Sequence, residues 1–208
     1  MKNKPVIFYE IKSMGLITLV PFISFLLLLL LSAGVDKFVE FLFVNQIFCS
    51  VPVSFWSAYI IYDYLENNGR DLFLSLGRSK LSLIFYKNIV ITFLYIIFMI
   101  FFSAISQIIF IGKILPSILI ANIIQAFFIS SFTLLSTIII KSSMWAVFVQ
   151  IVYAISFTGL VRELDFLSVY FKDDRAFHVG IGGLLHKGLI LSAIIYSITV
   201  MILLKKRN

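Results

Sequence analysis

Residues 88–112 read NIVITFLYIIFMIFFSAISQIIFIG, a run without a single Asp, Glu, Lys or Arg. A helix that crosses the hydrocarbon core of a bilayer needs about 20 mostly apolar residues at about 1.5 Å each. This run is long enough by itself. A membrane strand would alternate apolar and polar positions over about ten residues, whereas Phe98, Met99, Ile100, Phe101 and Phe102 follow one another here. The segment therefore reads as a transmembrane helix.

Outward from it, five further charge-free runs cover 14–35, 41–62, 114–140, 142–161 and 188–204. The last reaches spanning length, about 185–204, if His186 and Lys187 extend their polar ends to the membrane surface. The expected fold is an all-α membrane protein of six transmembrane helices, one transmembrane domain over 1–208. Composition agrees: of 208 residues, 61% are hydrophobic and 13% charged, with a mean hydropathy of +1.08. Soluble domains hold about 45–50% apolar and about 25% charged residues. That excludes a soluble enzyme, a disordered chain and a nucleic-acid module. The lone cysteine, Cys49, allows no disulfide within the chain.

The net charge of +7 then reads as topology. With the N-terminus in the cytoplasm, Lys2, Lys4, Lys12, Arg70, Arg78, Lys80, Lys87, Lys141, Lys205, Lys206 and Arg207 lie inside. Lys37, Lys113, Arg162, Lys172, Arg175 and Lys187 lie outside. Ten acids divide four to six, so the whole +7 falls on the inner face. Both termini are expected in the cytoplasm of a multi-pass cell-membrane protein. The first run is longer than a signal-peptide core and lacks an A-x-A-like cleavage site, so it is expected to stay as a helix.

Three segments lie outside the bilayer. In residues 1–13, MKNKPVIFYEIKS, Ile7 and Ile11 fall on one helical face, as in a short interfacial helix. Residues 63–80, DYLENNGRDLFLSLGRSK, hold an Asn68-Gly69 turn signal and then two helical turns with Leu72, Phe73 and Leu76 on one face. Such a face can dock on a soluble partner or rest on headgroups. Residues 162–187 repeat Leu164, Leu167 and Phe171 at helical spacing, and Gly180, Gly182 and Gly183 are expected to bend the chain. His178, His186, Asp173 and Asp174 match no zinc or calcium spacing.

The second segment resembles the loop between helices two and three of type-2 ABC transporter permeases, the ABC-2 exporter class. The match rests on Glu66, Gly69, Leu72, Leu74, Ser75, Leu76, Arg78, Lys80 and Lys87. Arg70 stands where threonine is common in that family, and Gly77 where proline is common. The resemblance extends to the order of segments over nearly the whole chain. It implies an N-terminal interfacial helix, a cytoplasmic coupling helix after span two and short external helices between spans five and six. It also implies a separate ATP-binding subunit that meets Glu66, Gly69, Arg70, Leu72, Phe73, Leu76 and Arg78, and a second permease copy or a homologous permease.

Within the spans no Asp, Glu, Lys or Arg sits at mid-depth. That argues against a proton- or sodium-coupled transporter and against an intramembrane hydrolase. Neutral polar residues recur instead at near-helical spacing: Gln46, Ser50, Ser54 and Ser57 in span two, and Asn122, Gln125, Ser130, Thr133 and Ser136 in span four. Gln46, Ser50, Ser54, Asn122, Gln125 and Thr133 form a candidate translocation surface. Helix–helix hydrogen bonding is the other reading of the same stripe. Pro21 and Pro52 are candidate kinks. No cofactor motif is present, and the chain has no Walker A sequence, so ATP hydrolysis would fall to a partner and the chain itself would be non-catalytic.

Three functions fit. One is a permease subunit for an amphipathic peptide, lipid or drug-like molecule. The second is a stand-alone bacteriocin-immunity-type membrane protein, and the third a substrate-capture subunit of a vitamin importer.

Overall fold

Three prolines mark places where a helix starts or breaks. The computed structural model describes residues 14–35, 37–65, 78–157, 169–170 and 174–205. A 3₁₀ turn over Gly15–Leu19 leads into α1 (Val20–Ser32), with Pro21 in its first turn. The second apolar run is split at Val51-Pro52 into α2 (Phe38–Ser50) and α3 (Val53–Leu65). Then follow α4 (Arg78–Ile111), α5 (Pro116–Ile140), α6 (Ser143–Ile155) and α7 (Asp174–Lys205). The described residues contain no strand.

Among the described residues four segments are long and apolar enough to cross a membrane: Gly15–Ser32, Phe38–Ile60, Ile84–Ile111 and Pro116–Ile140. Ser143–Ile155 and His186–Ile202 are shorter apolar helices. The bundle is inside out relative to a soluble one. Along α4, Tyr86, Ile89, Phe93, Ile97, Phe101 and Ile108 are exposed, while Asn88, Thr92, Ser103, Ser106 and Gln107 are fully buried. Such a pattern places apolar solvent outside and hydrogen bonds within.

Proline removes an N–H, which leaves the carbonyl four residues earlier without its helical partner. Pro21 cannot donate to the carbonyl of Ile17, which accepts instead from the Val20 N–H of the 3₁₀ turn and from the Trp56 indole Nε1, the latter at 3.2 Å. Pro52 frees the carbonyl of Phe48, and Ser24 Oγ donates to it at 3.0 Å. The chain tightens there, with Ser54 N donating to Val51 O at 2.9 Å. The Tyr95 hydroxyl donates to the carbonyl of Cys49, near the end of α2, at 2.7 Å. Spans one, two and three are therefore tied together at the break, around stacked Phe25 and Phe102 with ring centroids 4.4 Å apart.

α5 is the centre of the bundle, packed by α2, α3, α4, α6 and α7. Its most extensive pairing is with α7. Gly188 makes that close approach possible, because a Cβ there would collide with Ile124. At its end Lys141 adopts a left-handed conformation (φ 60°) and Lys141 N donates to Thr137 O at 2.9 Å, which turns the chain sharply into α6.

α4 begins at Arg78, ahead of the charge-free run, and α7 begins at Asp174, ahead of the last apolar run. One expectation changes. Gly180, Gly182 and Gly183 lie inside that continuous helix and make no bend. A glycine costs a helix about 1 kcal/mol relative to alanine without breaking it. The N-terminal interfacial helix (1–13) and the loop with Glu66, Gly69, Arg70, Leu72, Phe73 and Leu76 fall outside the described residues, as do 158–168, where external helices were expected. Arg78 is the first residue of α4.

Candidate functional site

The neutral polar side chains that the sequence places on two stripes meet inside the bundle, in three clusters along α5. From Asn122 to Ser136 they extend over about 21 Å of helix.

Near the Pro116 end, Asn122 Nδ2 donates to Asn45 Oδ1 at 2.7 Å and to Ser103 Oγ at 3.1 Å. Asn45 Nδ2 donates to Ser106 Oγ at 3.2 Å. Ser106 has given its own proton to Ser103 O at 2.9 Å, so it can only accept from Asn45, and that fixes which way both amides face. Gln107 Oε1 receives the Leu115 N–H at 2.7 Å, capping the turn before α5, and its Nε2 reaches Ser103 Oγ at 3.3 Å.

The middle cluster is the least expected. Gln125 Nε2 donates to Gln46 Oε1 at 2.8 Å and to the main-chain oxygen of Val169 at 3.0 Å. Ser50 Oγ donates to Gln46 O at 2.7 Å. Its single proton is thereby used, so in its 2.8 Å contact with Tyr170 the phenol is the donor. Val169 and Tyr170 belong to the connection between α6 and α7, yet they are buried in the bundle at the level of Ser50. Ser50 lies about 18 Å along α2 from Phe38. Irregular backbone at such depth is tolerated only where protein surrounds it and satisfies it.

Toward the Ile140 end, the proton order is again fixed. Thr92 Oγ1 donates to Asn88 O at 2.7 Å. Ser130 therefore donates to Thr92 at 2.6 Å, and Ser57 donates to Ser130 at 2.9 Å. Asn88 Nδ2 donates to Ser130 at 3.0 Å and to the Tyr196 hydroxyl at 2.9 Å, joining α3, α4, α5 and α7.

Of the six candidate surface residues, Gln46, Ser50, Asn122 and Gln125 enter this seam. Ser54 and Thr133 are buried too, but their hydroxyls donate back to their own helices, to Val51 O and Ile129 O. Asn45, Ser103, Gln107, Asn88, Thr92, Tyr196 and Tyr170 are members that the two stripes did not include. Asn45 is one residue from Gln46 and faces another helix. Tyr170 carries no periodic signal at all.

The seam is imbalanced. The amide nitrogens of Asn45, Asn88, Asn122 and Gln125 donate, whereas Asn88 Oδ1, Asn122 Oδ1 and Gln125 Oε1 are buried without a hydrogen-bond partner, as is Gln150 Oε1 on α6, whose Nε2 donates to Ser136 Oγ at 3.3 Å. Among the described residues no group of His, Cys, Asp and Glu could hold a metal ion. The arrangement can therefore exchange neutral hydrogen bonds and favours molecules that bring donors. Two apolar clefts lie apart from it. One of about 460 Å³ is lined by Ile17, Phe55, Tyr59, Met144 and Phe148 among others. One of about 230 Å³ lies between α1 and α2 and shares Phe55.

The fold and the seam define an all-helical protein with apolar helices suited to a membrane. Compared with family models, curated proteins and solved structures, the chain matches none.

Proposed function

We propose that the chain is the membrane-spanning permease subunit of an ABC exporter for an amphipathic peptide, lipid or drug-like molecule. In this reading it has six spans with both termini in the cytoplasm. A separate ATPase subunit drives it through the loop around Phe73, and a second permease copy or a homologous permease completes the path. The observation that carries the reading is the uncharged polar seam, three clusters in succession along α5, set in helices whose outer faces are apolar. A path of this kind suits a substrate that is partly polar and uncharged at its core. Among the described residues it holds no buried ionisable relay, which supports a reading in which a partner supplies the energy. The residues of 63–80 that resemble the ABC-2 coupling loop supply the second support.

The test is purification from native membranes under mild detergent. The expected result is a complex that hydrolyses ATP, and a chain that does not once it is separated from its partners. A chain that purifies alone from native membranes, with no ATPase and no transport, favours the immunity-type reading. The closed and internally paired state of the seam favours that reading as well, since a binding or blocking protein needs no path.

A further inference from the structure

We infer that the apolar cleft between the 3₁₀ turn, α3 and α6 seats one acyl chain of a phosphate-headed lipid, and that the lipid's phosphate meets Lys141. The inference needs the chain to lie in a membrane and does not rest on the transport reading. The cleft has a volume of about 460 Å³, and Ile17, Phe55, Ala58, Tyr59, Val147 and Phe148 are among the residues that line it. α3 packs against both α6 and the 3₁₀ turn and forms the floor between them. The α6 wall is a single stripe, Ser143, Val147 and Ile151, one helical turn apart, so the cleft runs about 12 Å along that helix. No side chain of the three polar clusters along α5 lines it.

Met144, Phe148, Val152 and Ile155 of α6 are exposed around the cleft, so in a membrane its surroundings are hydrocarbon. Seating a chain there gains little over leaving it among other chains, because lipid tails are as apolar as the wall. A fixed site therefore needs a hold on the headgroup, and Lys141 supplies one. It ends α5 two residues before Ser143, is exposed, and has no ion pair among the described residues. Trp145, 61% exposed in the first turn of α6, and the half-buried Tyr59 put the mouth at the level where amphipathic rings meet headgroups. The acid of α3, Asp63, stands about 6 Å further along its helix than Tyr59. A second copy of the chain would need a broad face. This is a notch with a cation at its mouth, and a phosphate ester is the anion that a membrane brings to that level.

The probe is palmitoyl-oleoyl phosphatidylglycerol, titrated on the purified full chain in detergent and counted by native mass spectrometry. Wild type should bind it about fivefold more tightly than the diacylglycerol with the same chains, the scale of one cation near a membrane surface. Lys141→Asn, a residue that tolerates the left-handed turn, should abolish that difference and leave diacylglycerol binding unchanged. Lys113→Asn removes the same charge from the opposite end of α5, between α4 and α5, and should change neither affinity. Ala58→Leu fills the cleft and should weaken both lipids about tenfold. Monodisperse gel filtration checks that each variant is folded, and Ala58→Val replaces Ala58→Leu if the latter aggregates. Equal losses in Lys141→Asn and Lys113→Asn, wild-type affinity in the filled cleft, or displacement of the lipid by an equal concentration of glycerol phosphate overturns the inference. A dimer that dissociates when the cleft is filled would assign the cleft to a second copy and overturn it as well. Binding is read on the chain alone, with no ATPase present, so its failure is separate from a failure of the transport reading.

Discussion

Tyr95, fully buried on α4, shows how much one side chain carries here. Its hydroxyl donates to the Cys49 carbonyl near the end of α2. In a membrane interior no water replaces a lost donor. Tyr95→Phe keeps the ring packing and takes this donor from the Cys49 carbonyl. The expected cost is about 1 kcal/mol, or roughly 2–4 °C in thermal unfolding in detergent. Phe93→Leu on the exposed face is the control and should leave the midpoint unchanged. An unshifted Tyr95→Phe would show that the carbonyl has another donor. The polar residues of the seam were partly legible in the sequence, since Gln46 and Ser50, or Asn122 and Gln125, lie at helical spacing on charge-free runs. Tyr95, Trp56 and Ser24 were not. Their partners are main-chain carbonyls of other spans, and nothing in a periodic pattern reports an accepting carbonyl elsewhere in the chain.

Among the helices, the split between α2 and α3 is the feature with the clearest physical cause. Pro52 was legible as a kink, and the apolar runs 14–35, 41–62, 88–112 and 114–140 each fall on a described helical segment long and apolar enough to cross a membrane. The glycines 180–183 misled because their composition suits a bend as well as a helix, and only the surrounding packing decides between them. The break also makes a coupling measurable. Ser24 donates to the carbonyl that Pro52 frees, so Pro52→Ala, which restores an N–H, removes the need for Ser24. Ser24→Ala should cost about 0.6 kcal/mol in the wild-type chain, the average for a hydrogen bond between membrane helices. In the Pro52→Ala background it should cost close to nothing. A double-mutant cycle on unfolding in detergent measures this, and additive costs would contradict the assignment.

At the scale of the whole molecule, outward-facing apolar stripes surround a polar interior among the described residues. The proposed orientation, with both termini in the cytoplasm, rests on the count of basic residues along the sequence. In a Cys49→Ser background, Asn3→Cys and Asn208→Cys should label with an impermeant maleimide only after the membrane is permeabilised, while Asp173→Cys should label in intact cells. A freely labelled position 208 in intact cells would exclude an even number of spans with cytoplasmic ends. The proposed function depends on one further element, the loop that carries Phe73. Burying Leu72 and Phe73 in a partner is worth roughly 3–6 kcal/mol before ordering costs, and an unpaired charge in such a groove is expensive. The most direct measurement is co-purification of an ATPase with wild-type chain and with Phe73→Asp, each shown to be monodisperse in detergent. The account predicts a wild-type complex that hydrolyses ATP and a Phe73→Asp chain that folds but retains no ATPase. Wild-type yield of an active complex from Phe73→Asp would contradict it.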